Sequence, residues 1–352
     1  EIEGARKMNL AKVKSTLGRY YRFITRSSNY EYEIPFNKRF KLMKNGFVTN
    51  RWITYNLSVN NINDYISDVE NSRAGSLSGP YGVIMDNKLI FAEIFKKYVP
   101  VPKTFAWINE GKFYGIEASV TDFKDIISLL NLKGTLVIKP VVGGQGRDVK
   151  ILRRLIDGRI VVNGEAVDKD DLKTLFIEQN DCIITQFIKQ HVYSSDIFSA
   201  TTNTIRIVTV IDPKTNLATV PYAVHRFGTK KTLPVDNVSR GGLAAIINVE
   251  TGAMNTARPY NRTDGYTHHP DTNELIKGIT VPHWNVVIHE IRSAAQRMPY
   301  LRLIGWDVVI TNDGFYVIEV NRIPGFGILQ LDGGIRNSDF ARILSDYGVF
   351  KI

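Results

Sequence analysis

Two apolar, β-branched runs near the C-terminus, Leu303–Thr311 and Phe315–Asn321, flank the turn residues Asn312-Asp313-Gly314. Their alternation and the turn between them predict an antiparallel hairpin. Asp307 falls on one strand; Glu319 and Asn321 fall on the other, two apart, and therefore share a face. Hairpin pairing brings Asp307 near Glu319. Two carboxylates and an amide oxygen among Val and Ile are costly to bury without a partner. Two solutions are open: a hard cation such as Mg²⁺, completed by water and phosphate oxygens, or a network with arginines.

Other segments follow the same pattern. Strands are predicted at Thr104–Trp107, Leu136–Pro140, Val149–Leu152, Cys182–Ile188 and Thr204–Ile211. Apolar residues at helical spacing predict helices over Lys88–Lys97, Asp122–Leu132 and Val286–Met298. After residue 130 the strands are separated mostly by turns, which points to antiparallel α+β units rather than a doubly wound sheet. The polar run Asn71–Ser76 and the triplet Ser78-Gly79-Pro80 read as a linker.

Gly143-Gly144-Gln145-Gly146 is followed by no Gly-Lys-Ser/Thr, so it does not match the Walker pattern, and it lies between two predicted strands, so it does not match the dinucleotide fingerprint. It reads as a mobile hairpin loop whose N–H groups can close over phosphates, with Lys139 adding a point charge. The alternative is a plain glycine-rich turn with a surface lysine.

The formal net charge of +10 is uneven. Residues 1–51 hold twelve Lys or Arg against four Asp or Glu, leaving +2 for the rest. Val13, Leu17, Tyr20, Tyr21 and Ile24 recur at helical spacing among these cations. This basic amphipathic helix either packs on its own domain or meets an anionic membrane surface or polyanionic substrate. Nucleic acid is not expected, because no nucleic-acid-binding signature accompanies the charge. The single cysteine, Cys182, excludes a disulfide scaffold and fits a strand core; a reducing, cytoplasmic location is expected. No stretch reaches the ~18 apolar residues of a membrane span. His268-His269 sits in a polar run and is expected in a solvated or substrate-lid loop. His225, ending a strand, is either a structural histidine or a base for an attacking ammonium group.

Taken in order, these motifs resemble the ATP-grasp superfamily over roughly residues 82–345. Lys88 and Lys139 resemble its two phosphate-binding lysines, and Gly143, Gly144 and Gly146 its glycine-rich lid. Thr185, Gln186, Phe187 and Ile188 resemble the hinge strand that contacts adenine, although Thr185 stands where many members carry Glu. Asp196 resembles the ribose-binding acid. Asp307, Glu319 and Asn321 resemble the ligands of two Mg²⁺ ions, and Arg206 the arginine that reaches the transferred phosphoryl group. Asn237, Arg240 and Gly241 resemble the acceptor-side loop. Asn203-Thr204-Ile205-Arg206 and Ile318–Phe326 look most like the sugar-transfer-associated branch.

The resemblance implies two α+β subdomains gripping ATP between antiparallel sheets, at 81–188 and 189–352, after a basic, partly helical region at 1–80. It implies an ATP- and Mg²⁺-dependent carboxylate–amine ligase working through an acyl phosphate. Lys139, Arg206 and Arg322 would be catalytic. Arg226, Asn237, Arg240, Gly241 and His225 would face the substrates. The branch suggests a sugar uronic acid joined to an amino acid in bacterial capsule or exopolysaccharide synthesis, with peripheral contact to the membrane or to assembly proteins. A small-molecule kinase and a non-catalytic nucleotide-binding module are the competing functions.

Overall fold

The computed structural model describes residues 34–144, 146–260 and 262–351. The amphipathic helix expected over 13–24 lies outside them. The α+β expectation holds: two antiparallel sheets dominate. The first has seven strands: β1 (Thr104–Asn109), β2 (Lys112–Gly115), β3 (Thr135–Pro140), β4 (Lys150–Arg154), β5 (Ile160–Val162), β6 (Glu165–Val167) and β7 (Cys182–Gln186). Their order is β2-β1-β7-β3-β4-β5-β6. The second has six: β8 (Ile205–Ile211), β9 (Ala218–Phe227), β10 (Leu243–Ile247), β11 (Met254–Arg258), β12 (Leu303–Thr311) and β13 (Gly314–Asn321), in the order β11-β10-β9-β8-β12-β13.

Alternation decides what each face does. On β3, Leu136 and Ile138 bury against helices Phe123–Lys133 and Lys169–Ile177, so Lys139 must point to the other face. On β8, Ile205 and Ile207 enter a core with helices Lys88–Phe95 and Trp284–Arg297, which turns Arg206 the other way. The six-stranded sheet is therefore covered on one face by those helices. Part of its other face packs on Phe326, Leu329 and Phe340, and the remainder carries polar residues.

The polar run read as a linker is ordered. Asp68–Ala74 is a helix that starts at a capping box: the Ser67 side chain accepts from Glu70 N, and Glu70 accepts from Ser67 N. Ile66 and Ala74 bury in the core shared with Phe326 and Leu329. Helix Lys88–Phe95 packs on the six-stranded sheet, with Phe95 edge-on to Trp306 at 5.4 Å, although its sequence position suggested the smaller unit. Its apolar face is matched to that sheet, and the reach from Phe95 to Thr104 is short. Among the described residues no helix is long and apolar enough to cross a membrane.

Candidate active site

Register assembles the site. Arg206 on β8 pairs with Asp307 on β12, and Asp307 pairs with Glu319 on β13. The next pair is Val308 with Val317, so Ile318 is bulged out of the ladder. Bulges re-aim side chains and free backbone groups. Here the bulge keeps Val317 and Val320 in the core while Glu319 and Asn321 face outward. It also leaves the Ile318 carbonyl to accept a hydrogen bond of 3.1 Å from Lys139 Nζ, across from the seven-stranded sheet.

Lys88 arrives from a third direction. Asn87 caps its helix, accepting from Leu89 N and Ile90 N. Its ammonium donates to the Gly143 carbonyl at 2.9 Å and lies 3.9 Å from Glu319. The structure thus brings Lys88, Lys139, Glu319 and the root of the glycine loop together. Burial lowers the Lys139 pKa to about 8; Glu319 opposes that shift and Lys88 adds to it. Burial raises the Glu319 carboxyl above its usual range, with Lys88 opposing and Asp307 reinforcing.

The three expected metal ligands divide. Asp307 follows the arginine alternative and is not a free ligand. Arg206 donates to it through Nε (2.5 Å) and Nη2 (3.1 Å), Arg226 through Nη2 (3.1 Å) and Asn321 through Nδ2 (3.3 Å). Burial pushes this carboxyl up, but the two guanidiniums outweigh it and the net shift is down. Glu319 accepts no hydrogen bond among the described residues, and Asn321 keeps its amide oxygen unengaged. These two oxygen donors on one face fit a hard cation; Asp307 Oδ2 is already crowded.

Arg206 is likewise committed, since its Nη1 also donates to the Pro324 carbonyl. Arg226 bonds Thr204 Oγ1 at 2.9 Å and pairs with Asp236 at 3.6 Å, so it is no free substrate clamp. Burial would lower its pKa, but Asp236 and Asp307 raise it overall. Arg322 is exposed and pairs with Asp86 at 3.0 Å.

His225 is not placed as a base. It is fully buried and stacked on Phe227 at 4.1 Å. Its Nδ1 faces the Arg226 carbonyl at 3.2 Å and must carry the proton, so Nε2 accepts from Tyr193 O–H at 2.7 Å. Burial drives its pKa down to about 3. His269, expected in a solvated or substrate-lid loop, is buried too, bonded to the Gly228 carbonyl at 2.8 Å and stacked on Phe198. Cys182 is a buried core residue.

Thr185 and Gln186 end β7 between β1 and β3; Gln186 N donates to Lys103 O and its side chain accepts from Lys103 N. Phe187 and Ile188 continue past the strand. Asp196 is exposed on helix Val192–Ile197, beside the β12–β13 turn, and no hydrogen bond or ion pair links it to Lys88, Lys139 or Glu319. Asn237 caps the turn Val238–Arg240, accepting from Ser239 N; Arg240 is exposed and Gly241 takes φ +110°. Sequence reasoning missed Asp236, whose carboxylate accepts from Thr204 N (2.9 Å) and Oγ1 (2.5 Å), and the Ile318 and Pro324 carbonyls. A lone acid after a proline carries no pattern, and backbone acceptors carry none at all.

Gly146 takes φ +64°, and a Cβ there would meet Val235 Cγ2 at 2.7 Å. Gly144 has open space around it and no positive φ. Gly146→Ala is therefore expected to displace the loop and lower turnover about tenfold or more, whereas Gly144→Ala leaves turnover near wild type. Equal steady-state rates for the two variants would refute a requirement for glycine where residue 146 approaches Val235.

The family model described as sugar-transfer-associated ATP-grasp matches residues 78–340. Among solved structures, the chain is similar to an ADP complex of N5-carboxyaminoimidazole ribonucleotide synthetase (purK), with 11% identity and a TM-score of 0.40, covering 68% of this chain and 45% of that one. It is also similar to the D-cycloserine synthetase DcsG (15%, TM-score 0.41, 77% and 71%) and to an L-amino acid ligase from Bacillus licheniformis (12%, TM-score 0.38, 70% and 42%). The chain thus spans less than half the length of the first and last of these. No curated protein matches.

Proposed function

Because the chain belongs to the sugar-transfer-associated ATP-grasp family, we propose that it is an ATP-dependent carboxylate–amine ligase. The observation that supports this reading is the convergence of Lys88 and Lys139 on Glu319, with the glycine loop hydrogen-bonded to Lys88. Two cations, the buried Lys88 and the half-buried Lys139, beside a carboxylate and a glycine loop suit a nucleotide polyphosphate and its cation.

A substrate carboxylate oxygen attacks the γ-phosphorus of ATP; the new O–P bond forms as the bond to the bridging oxygen breaks and ADP departs. The amine then attacks the acyl carbon, the C–N bond forms, phosphate leaves with the carbon–oxygen electron pair, and the ammonium proton is lost. Lys88 and Lys139 neutralise the phosphates. Glu319 and Asn321 would hold Mg²⁺, which neutralises phosphate charge when bound. A second ion is proposed from the family alone. Arg206 acts as a positioning residue for Asp307, and Arg226 for the same carboxylate. The glycine loop excludes water from the acyl phosphate. The segment Thr185–Ile188 is the proposed adenine edge, and of Arg226, Arg240 and Arg322 the last two are exposed and could meet a charged substrate.

The proposed substrates are a sugar uronic acid, nucleotide-linked or within a glycan, and an amino acid, in capsule or exopolysaccharide synthesis. The test mixes the protein with ATP, Mg²⁺, nucleotide uronic acids and amino acids, read by mass spectrometry. ADP with a condensation product one water lighter than its parts is the expected result. A sugar that gains only phosphate would replace the ligase with a kinase.

The pH profile tests Lys139 separately. The free enzyme loses this proton as pH rises through about 8, so kcat/KM for ATP should fall there. Lys139→Arg keeps its charge and should move that descending limb upward by about two units or more. Identical limbs in both proteins would remove Lys139 from phosphate binding.

A further inference from the structure

Helix Phe36–Lys44 turns two large aromatic side chains outward: Phe36 is 81% exposed and Phe40, one turn on, 54%. Its other face is occupied. Leu42 is buried in a cluster with Phe47, Tyr55, Leu57 and Tyr65, and Lys38 lies over the Trp52 ring at 4.3 Å. Arg39, Lys41 and Lys44 are exposed around the two phenylalanines, the helix carries no acidic residue, and none of its four cations forms an ion pair among the described residues. The segment belongs to the first 51 residues, which hold nearly all of the chain's net positive charge.

Exposed phenylalanines set among cations on a convex helix are the pattern of a helix lying in a membrane interface: the rings enter the headgroup–acyl boundary and the cations meet lipid phosphates. We propose that this face docks on an anionic lipid surface. An anionic surface is favoured over a protein partner because every charged residue on this helix is a cation and none is ion-paired among the described residues.

The docking unit is fixed to the rest of the molecule. Gln330 accepts from Ile66 N at 2.7 Å and donates to Ile66 O at 3.0 Å, and Arg336 pairs with Glu70. Seating the helix on lipid would therefore set the orientation of the Lys88–Lys139 cleft against the membrane. The docking stands independently of the ligase reading.

The test is co-sedimentation of the full chain with vesicles of phosphatidylcholine alone and of phosphatidylcholine mixed with phosphatidylglycerol. The wild type should bind only the anionic vesicles, and less as salt is added. Arg39→Gln/Lys41→Gln/Lys44→Gln should lower partitioning about 10²-fold, and Phe36→Ser/Phe40→Ser about tenfold or more. Both variants should keep the wild-type thermal midpoint and ATP turnover. Equal binding to neutral vesicles, no binding at all, or variants that bind like wild type would overturn the proposal. So would a fall in thermal midpoint for the phenylalanine variant, which would mean that the chain itself covers this face. Loss of a dimer on gel filtration of that variant would assign the face to a second copy instead. ATP turnover without vesicle binding would refute docking and leave the ligase standing; vesicle binding without turnover would do the reverse.

Discussion

Glu319→Gln is expected to slow ATP turnover by about 10²–10³-fold while leaving the fold intact. Glutamine keeps the shape and an oxygen donor but removes the charge that faces Lys88 at 3.9 Å and lies beside Lys139. Burial already raises the pKa of this carboxyl, so its loss should change the thermal midpoint little. The charge is needed only when phosphate and cation are present. Two measurements check this: single-turnover ADP formation in Mg²⁺, and the Mg²⁺ concentration dependence of the residual rate. A rate within about tenfold of wild type at low Mg²⁺ would dismiss Glu319 as a ligand.

Asp307→Ala should act the other way, on stability first. This carboxylate is 5% exposed and holds two guanidiniums, the buried Arg206 and the half-buried Arg226. Removing one partner of a buried pair leaves uncompensated charge and costs about 3–5 kcal/mol. Asp236 at 3.6 Å from Arg226 and the Pro324 carbonyl on Arg206 soften the loss, so the lower end is expected. Denaturant unfolding measures it. Arg206→Met/Asp307→Leu should recover most of the deficit, because it removes Arg206 and Asp307 together and leaves Arg226 to Asp236; a double variant as unstable as Asp307→Ala would locate the cost in Arg226 or in packing instead. The pH dependence has a definite sign. The folded pKa of Asp307 lies below the unfolded value of about 4, so its stabilisation is complete above that value. It is lost as pH falls through the folded pKa.

The hairpin was legible because alternation and turn residues are local signals. The pairing of Asp307 with Glu319 followed from them, yet the bulge at Ile318 did not, since no residue type marks it. Helix Asp68–Ala74 was misread from composition, although Ser67-Asp68-Val69-Glu70 spells a capping box in the sequence. Whether Asp307 meets a cation or arginines could not be decided locally: Arg206 lies 101 residues away, and only strand order makes them neighbours. His225 and His269 illustrate the same limit. Their burial depends on Phe227 and Phe198, which stack on them only in the folded chain.

The amide of Gln330 reads both the N–H and the carbonyl of Ile66, and a third bond reaches the Tyr55 hydroxyl. The family match begins at residue 78, so this side chain fastens the matched region to a segment that precedes it. Ile66 and Ala74 also lie in one apolar cluster with Phe326 and Leu329. The boundary drawn by sequence similarity is therefore not a boundary of cooperativity. Residues 55–77 and the sheet that carries Asp307 and Glu319 share packing and hydrogen bonds, and a cut at 78 is expected to expose that apolar cluster rather than release an appendage.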